Sequence, residues 1–359
     1  MKLKNLFLTA LCALTLTVGF TSCNDSDTHS WRDGSKVDLP DYRGFILSEG
    51  SMNKNNSHLF FVNPATGETY AEDIFEAQNG IKLGDTANDI ITYNGDLYII
   101  VNVSKMLWKL NGAGVMQASY SFNDELGEPR NIVAYNGKLY VTCYGGYVAR
   151  FDANTLAIEA KVKTDANPEQ LVVYNGKIYC VNSGYGAGHT MSVIDINDFT
   201  TATSIECPAN PFGLQAGFGK LYILSYRPDY TTMVSVFDLQ TNTFKEIGSG
   251  SRMWAEGNTL YVGSTVNKGD WSNPDYETTF YIYNAATDSK ETWNLSGIPE
   301  SLSKSTVYMI ERNPYDGSFY IATADYYSNS PVYHFSSTGT YLGTFSAGGI
   351  NANNMVFLQ

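Results

Sequence analysis

The chain has 359 residues, with 23 Lys and Arg against 36 Asp and Glu, for a net charge of −13. Charged residues make up 16% of it and aromatics 14%, a balance that excludes disorder. So acidic a protein lacks the basic footprint that nucleic acid requires. The 26 Tyr and 32 Gly, with few long Leu/Glu/Lys/Ala runs, argue against a helical bundle and for an all-β chain.

The N-terminus reads as an address. Lys2 and Lys4 precede an apolar stretch from Leu6 to Phe20, of signal-peptide length and short for a membrane span. Thr21-Ser22-Cys23 then resembles a bacterial lipobox, with Phe20 where Leu is usual. The resemblance implies cleavage before Cys23 and its lipidation. The following Asn24-Asp25-Ser26-Asp27 resembles the signal that sends Bacteroidetes-type lipoproteins to the outer face of the outer membrane. An ordinary secretory signal that happens to contain Cys23 is the alternative. Residues 1–22 are thus expected to be a lipoprotein signal peptide, and 23–42 the lipidated Cys and a flexible tether. Residues 43–359 are the folded domain. No later segment is apolar enough to span a bilayer, so the mature protein is expected to be lipid-anchored at the cell surface.

A repeat organises the domain. Tyr93-Asn94-Gly95-Asp96-Leu97-Tyr98 returns as Tyr135-Asn136-Gly137-Lys138-Leu139-Tyr140 and as Tyr174-Asn175-Gly176-Lys177-Ile178-Tyr179. Looser copies end at Tyr222, Tyr261 and Tyr320. Most of the spacings lie near forty, the period of propeller blades. Within a unit, Asn-Gly supplies the two positive-φ positions of a tight hairpin between two apolar strands. A variable loop leads to a third strand, such as Met191 to Asp195, and a polar turn to a fourth, such as Ala157 to Val162. Four antiparallel strands make one blade.

Seven first strands can be counted: Asn88–Tyr93, Asn131–Tyr135, Gln170–Tyr174, Gly213–Gly217, Arg252–Glu256, Val307–Arg312 and Asn354–Leu358. The N-terminal blade lacks its own. It has a second strand from Arg43, a third at Leu59–Val62 and a fourth near Tyr70–Phe75. The expected fold is therefore a seven-bladed β-propeller of four-stranded blades. The C-terminal strand joins the N-terminal blade and closes the ring. Eight blades or stacked sandwiches are the alternatives. Cys143, Cys180 and Cys207 show no metal or redox spacing and are expected to be buried free thiols.

Leu139-Tyr140-Val141-Thr142-Cys143 and the strand after it resemble the repeat of YVTN or YncE-like β-propellers, with Cys143 where Asn is usual. The opening Ile46-Leu47-Ser48-Glu49-Gly50-Ser51-Met52-Asn53 resembles the start of a family of Bacteroidetes surface lipoprotein propellers. That family includes proteins that capture vitamin B12-type corrinoids and pass them to a TonB-dependent transporter. The resemblance covers about residues 43–359. It implies fold more than ligand.

One face of a propeller collects the loops leading into the first strands and those between second and third strands. The first set includes Arg130 and Arg252 beside several amides and acids. It suits a polar ligand or merely a wet channel mouth. The second set is uneven and aromatic: Tyr185 and His189, then Tyr226, Arg227 and Tyr230, then Trp271 in the longest loop, Val266 to Thr278, then Tyr326 and Tyr327. Loop aromatics offer contact area at low ordering cost, for a large flat ligand such as a corrinoid or a glycan. They also serve simply to pack loops on the ring. His189 is the one His on such a loop and a possible ligand to a metal-centred cofactor, but no His pair has metal-ligand spacing. No metal or resident cofactor is expected, and no catalytic motif is legible. Glu49, Asp229, Asp270, Asp275 and Asp325 are the acids that folding would have to gather for a hydrolase. Three readings follow: surface capture of a corrinoid for a TonB-dependent transporter, glycan or protein adhesion, and a propeller lyase or hydrolase.

Overall fold

The computed structural model describes residues 30–70, 72–270 and 272–359. Seven four-stranded antiparallel sheets follow one another. Blade one combines Ala352–Leu358 with Arg43–Ser48, His58–Val62 and Thr69–Tyr70. Blades two to seven start with Ala87–Tyr93, Pro129–Tyr135, Pro168–Tyr174, Pro211–Gly217, Arg252–Glu256 and Thr306–Arg312. These first strands touch their neighbours in sequence order, and Ala352–Leu358 touches both the first strand of blade two and that of blade seven. The ring is closed. The chain is a seven-bladed β-propeller.

Local chemistry explains each blade. Asn94-Gly95, Asn136-Gly137 and Asn175-Gly176 all hold positive φ at both positions, the geometry of a hairpin turn that matches strand twist. Phe218 takes the Asn place before Gly219 at φ 52°. The Tyr before the turn ties blades together: Tyr93 accepts the Gly137 N–H at 2.7 Å and Tyr174 the Gly219 N–H at 2.7 Å. The repeated Tyr98, Tyr140, Tyr179, Tyr222 and Tyr320 are buried, and Tyr261 is half-buried. The core is thus a ring of apolar clusters wedged between adjacent sheets. Cys143 and Cys180 are buried free thiols, and Cys207 is a half-buried one.

Three expectations needed correction. The fourth strand of blade one stops at Tyr70, and Ile74–Asn79 is a helix rather than strand. Asp73 caps it by accepting the Glu76 N–H, and Ile74 and Phe75 turn into the core. The loop expected over Val266 to Thr278 is shorter, because Thr259–Asn267 and Tyr276–Asn284 extend the hairpin pairing to Asn267 and Tyr276. The segment 31–42, expected as tether, is packed. Leu39 is buried, and Trp31 and Val37 lie against the first core cluster. The Arg43 guanidinium sits 3.5 Å from the Trp31 ring centroid. Gln78 accepts the Lys36 N–H at 2.7 Å and donates to Ser35. The segment has no period because single anchors, not a strand, hold it. Cys23 and the signal segment lie outside the described residues.

Candidate functional site

The loops leading into the first strands surround a cavity of about 160 Å³ at the mouth of the central channel. Its charges are organised in pairs. Arg130 reaches Glu169 at 2.6 Å, and Glu169 also accepts the Tyr144 and Ser183 hydroxyls, both at 2.8 Å. Burial disfavours the Arg130 charge, but Glu169, Tyr144 and Glu49 together outweigh it and hold its pKa up. Opposite, the Tyr308 hydroxyl donates to Glu49 at 2.8 Å, and the Asn353 amide donates to the same carboxylate at 3.3 Å. Arg252 stacks on Tyr308, 4.4 Å from the ring centroid, and donates to two backbone carbonyls.

Deeper in the channel sit two acids. Asp89 accepts from the Asn131 and Asn354 amides and from the Ile132 and Ile90 N–H groups. It therefore stitches the first strands of blades one, two and three. Burial nevertheless pushes it up to about 6. Glu311, on the first strand of blade seven, is pushed up to about 8 by burial and then by the nearby Asp89 charge. A Trp254 hydrogen bond pulls it the other way.

A second, larger recess of about 660 Å³ lies between blades four and five, within the size range of ligand pockets. Tyr185, Tyr226, Arg227 and Tyr230 line it together with Asn210 and Pro228. Tyr185 is 81% exposed and Tyr230 72%. Both hold positive φ, at 55° and 63°, which is costly for a side chain without a small polar group. Tyr326, at φ 69°, packs edge-on against Tyr308 with ring centroids 5.8 Å apart. Three exposed aromatics on one face thus occupy a backbone conformation that glycine would hold more cheaply.

The sequence-derived candidates divide accordingly. Arg130 and Arg252 line the channel mouth, and four aromatic-loop residues share the groove. Arg227 is not free, since Glu246 holds it at 2.6 Å. His189 is exposed and is not among the groove-lining residues. Tyr327 is 88% exposed and is not among the residues lining either recess. Trp271 lies outside the described residues. Among the described residues no group of three His, Cys, Asp or Glu could hold a metal ion. The loop acids are not gathered either. Asp229, Asp270 and Asp325 each accept N–H groups two or three residues ahead and build their own turns. Asp275 pairs with Lys304. At the channel, Asp89 and Glu311 lie near enough for the charge of Asp89 to act on Glu311. Glu311, a carboxylate that directly follows the run Val307 to Ile310, was passed over in the sequence analysis.

No family model matches the chain, and no curated protein matches it. Solved structures do resemble it. A protein described as a candidate 6-phosphogluconolactonase from Bacteroides fragilis shares 12% identity at a TM-score of 0.60, covering 92% of this chain and 99% of that one. AztD from Citrobacter koseri shares 10% at a TM-score of 0.52, covering 90% and 99%. BamB from Moraxella catarrhalis shares 12% at a TM-score of 0.52, covering 90% and 92%. At such identities the likeness shows the propeller fold and nothing of the chemistry.

Proposed function

We propose that this propeller is a surface capture protein for a large flat ligand with polar edges, of the corrinoid class. The observation that carries the reading is the exposed tyrosine set at positive φ beside a polar channel mouth. Tyr185 meets Tyr144 with ring centroids 5.8 Å apart, and that one contact does not account for a ring 81% exposed on a backbone at φ 55°. Contact with a ligand does, because an aromatic ring offers a flat apolar face and a hydroxyl at small ordering cost. The amides and charges of the mouth would meet polar edges. In this reading Cys23 carries the lipid, the outer membrane holds the anchor, and a TonB-dependent transporter receives the ligand.

The test is direct. The chain from residue 24 is mixed with cyanocobalamin and passed over a gel-filtration column. Colour co-eluting with protein near one-to-one supports capture. A colourless protein peak at micromolar concentration removes the corrinoid reading, and glycan recognition by the same tyrosines becomes the leading one.

A further inference from the structure

We infer that the groove and the channel mouth are two halves of one site. The groove takes the flat body of the ligand, and Arg252 takes an anionic oxygen group on a polar arm. The inference rests on the capture reading above and adds what the arm must carry.

Continuity comes from one ring pair. Phe212 lines the channel mouth and Tyr226 lines the groove, and their rings pack with centroids 4.5 Å apart. The two recesses therefore share a wall. A ligand lying in the groove reaches the mouth across Phe212.

The charge argument separates Arg252 from the other candidate arginines. Arg130 is neutralised by Glu169 and Arg227 by Glu246, each at 2.6 Å. Arg252 uses Nε on the Tyr308 carbonyl at 2.6 Å and one terminal nitrogen on the Ser251 carbonyl at 2.8 Å. Its plane is steadied by the Tyr308 ring at 4.4 Å. Those partners are neutral, and among the described residues no carboxylate forms an ion pair with it. Glu49, which shares Tyr308 with it, has its two oxygens engaged by the Tyr308 hydroxyl and the Asn353 amide. Arg252 is thus a half-buried cation, fixed in direction, with an unused terminal nitrogen at the cavity wall. A planar guanidinium of that kind suits phosphate or carboxylate oxygens. Gln170 adds a neutral donor: its Oε1 accepts the Leu214 N–H at 2.8 Å, and its amide nitrogen is left for the cavity it lines. In a corrinoid the group that matches is the phosphodiester of the nucleotide arm.

The experiment compares two probes with one ring system. Cyanocobalamin carries the phosphodiester arm and dicyanocobinamide lacks it. Calorimetric titration is run on the wild-type chain, Arg252→Gln, Gln170→Ala and Tyr226→Ala, each checked for an unchanged circular dichroism spectrum. The expected result is a tenfold or greater loss of cyanocobalamin affinity in Arg252→Gln, with dicyanocobinamide unaffected. Gln170→Ala should move the same way by a smaller factor, and Tyr226→Ala should weaken both probes. Equal losses for both probes in Arg252→Gln, or no loss for either, overturn the inference while leaving corrinoid capture standing. A wild-type chain that binds neither probe overturns the capture reading and this inference with it.

Discussion

Tyr308 and Glu49 meet across the seam of the ring, with the tyrosine hydroxyl donating to Oε2 at 2.8 Å. They are 259 residues apart in sequence. Tyr308 belongs to blade seven and Glu49 to the loop of blade one. Their bond links the last complete blade to the composite one at the candidate site itself. Burial and then the Glu49 charge keep the Tyr308 hydroxyl protonated far beyond neutral pH. Tyr308→Phe leaves a carboxylate oxygen short of its donor. That should cost about 1–3 kcal/mol. Urea unfolding should show a lower midpoint, and an unchanged midpoint would refute the role given to this bond.

The channel acids set a pH dependence. Glu311 stands at about 8 in the folded protein against an ordinary 4.5. Between those values the folded state binds more protons than the unfolded state. Its contribution to stability is present in full below about pH 4.5 and is lost as pH rises through about 8. Asp89 acts in the same direction over a lower window, from 3.8 to about 6. Glu311→Gln removes the first of these costs. At ~1.4 kcal/mol per pH unit, the gain at alkaline pH is bounded at about 4–5 kcal/mol. Melting curves should therefore coincide near pH 4.5 and separate by pH 9, with the variant higher. A variant less stable at pH 9 would contradict the assignment.

Tyr185 provides a trade-off between folding and binding. Its ring is 81% exposed, and its backbone sits at φ 55°. Tyr185→Gly relieves the strained conformation, with about 1 kcal/mol available from the backbone. It loses the tilted ring contact to Tyr144, whose centroid lies 5.8 Å away. The melting temperature should hold or rise, while affinity for the captured ligand falls. A large drop in melting temperature would mean that Tyr185 serves packing rather than recognition.

How much of this was legible beforehand depends on the period of the signal. The Asn-Gly hairpins and the buried tyrosines repeat about every forty residues, so blades and closure could be counted. Tyr185, Tyr226 and Tyr230 stood out because loop aromatics have no strand pattern to explain them. Segment 31–42 did not stand out: Trp31, Val37 and Leu39 anchor it singly, and irregular chain looks the same whether packed or free. Glu311 and Tyr308 were also hidden. They lie on a first strand, where one face meets the channel and the other the core, and alternation alone does not say that channel walls are polar. The pairing of Arg227 with Glu246 and of Arg130 with Glu169 depends on inter-strand and inter-blade distances that a linear sequence does not contain.

The closing strand gives the sharpest prediction about the fold. Arg43 pairs with Leu358, Phe45 with Val356 and Leu47 with Asn354 along the joint of blade one. Met355, Phe357 and Leu358 are buried there. The Asn354 amide reaches Asp89 at 2.6 Å, so the same strand holds a wall of the channel. Removing residues 354–359 takes away this apolar burial, at about 1.5–3 kcal/mol per buried side chain. It also exposes Arg43–Ser48 as an unpaired edge and strips one donor, the Asn354 amide, from the buried Asp89 carboxylate. These losses together are comparable with the whole stability of a typical domain. Far-UV circular dichroism should retain β signal, but thermal unfolding should lose its single cooperative transition and the protein should associate through the open edge. Gel filtration reads the association and calorimetry the transition. A monomeric truncated chain that melts as one unit would show that the ring does not depend on its closing strand.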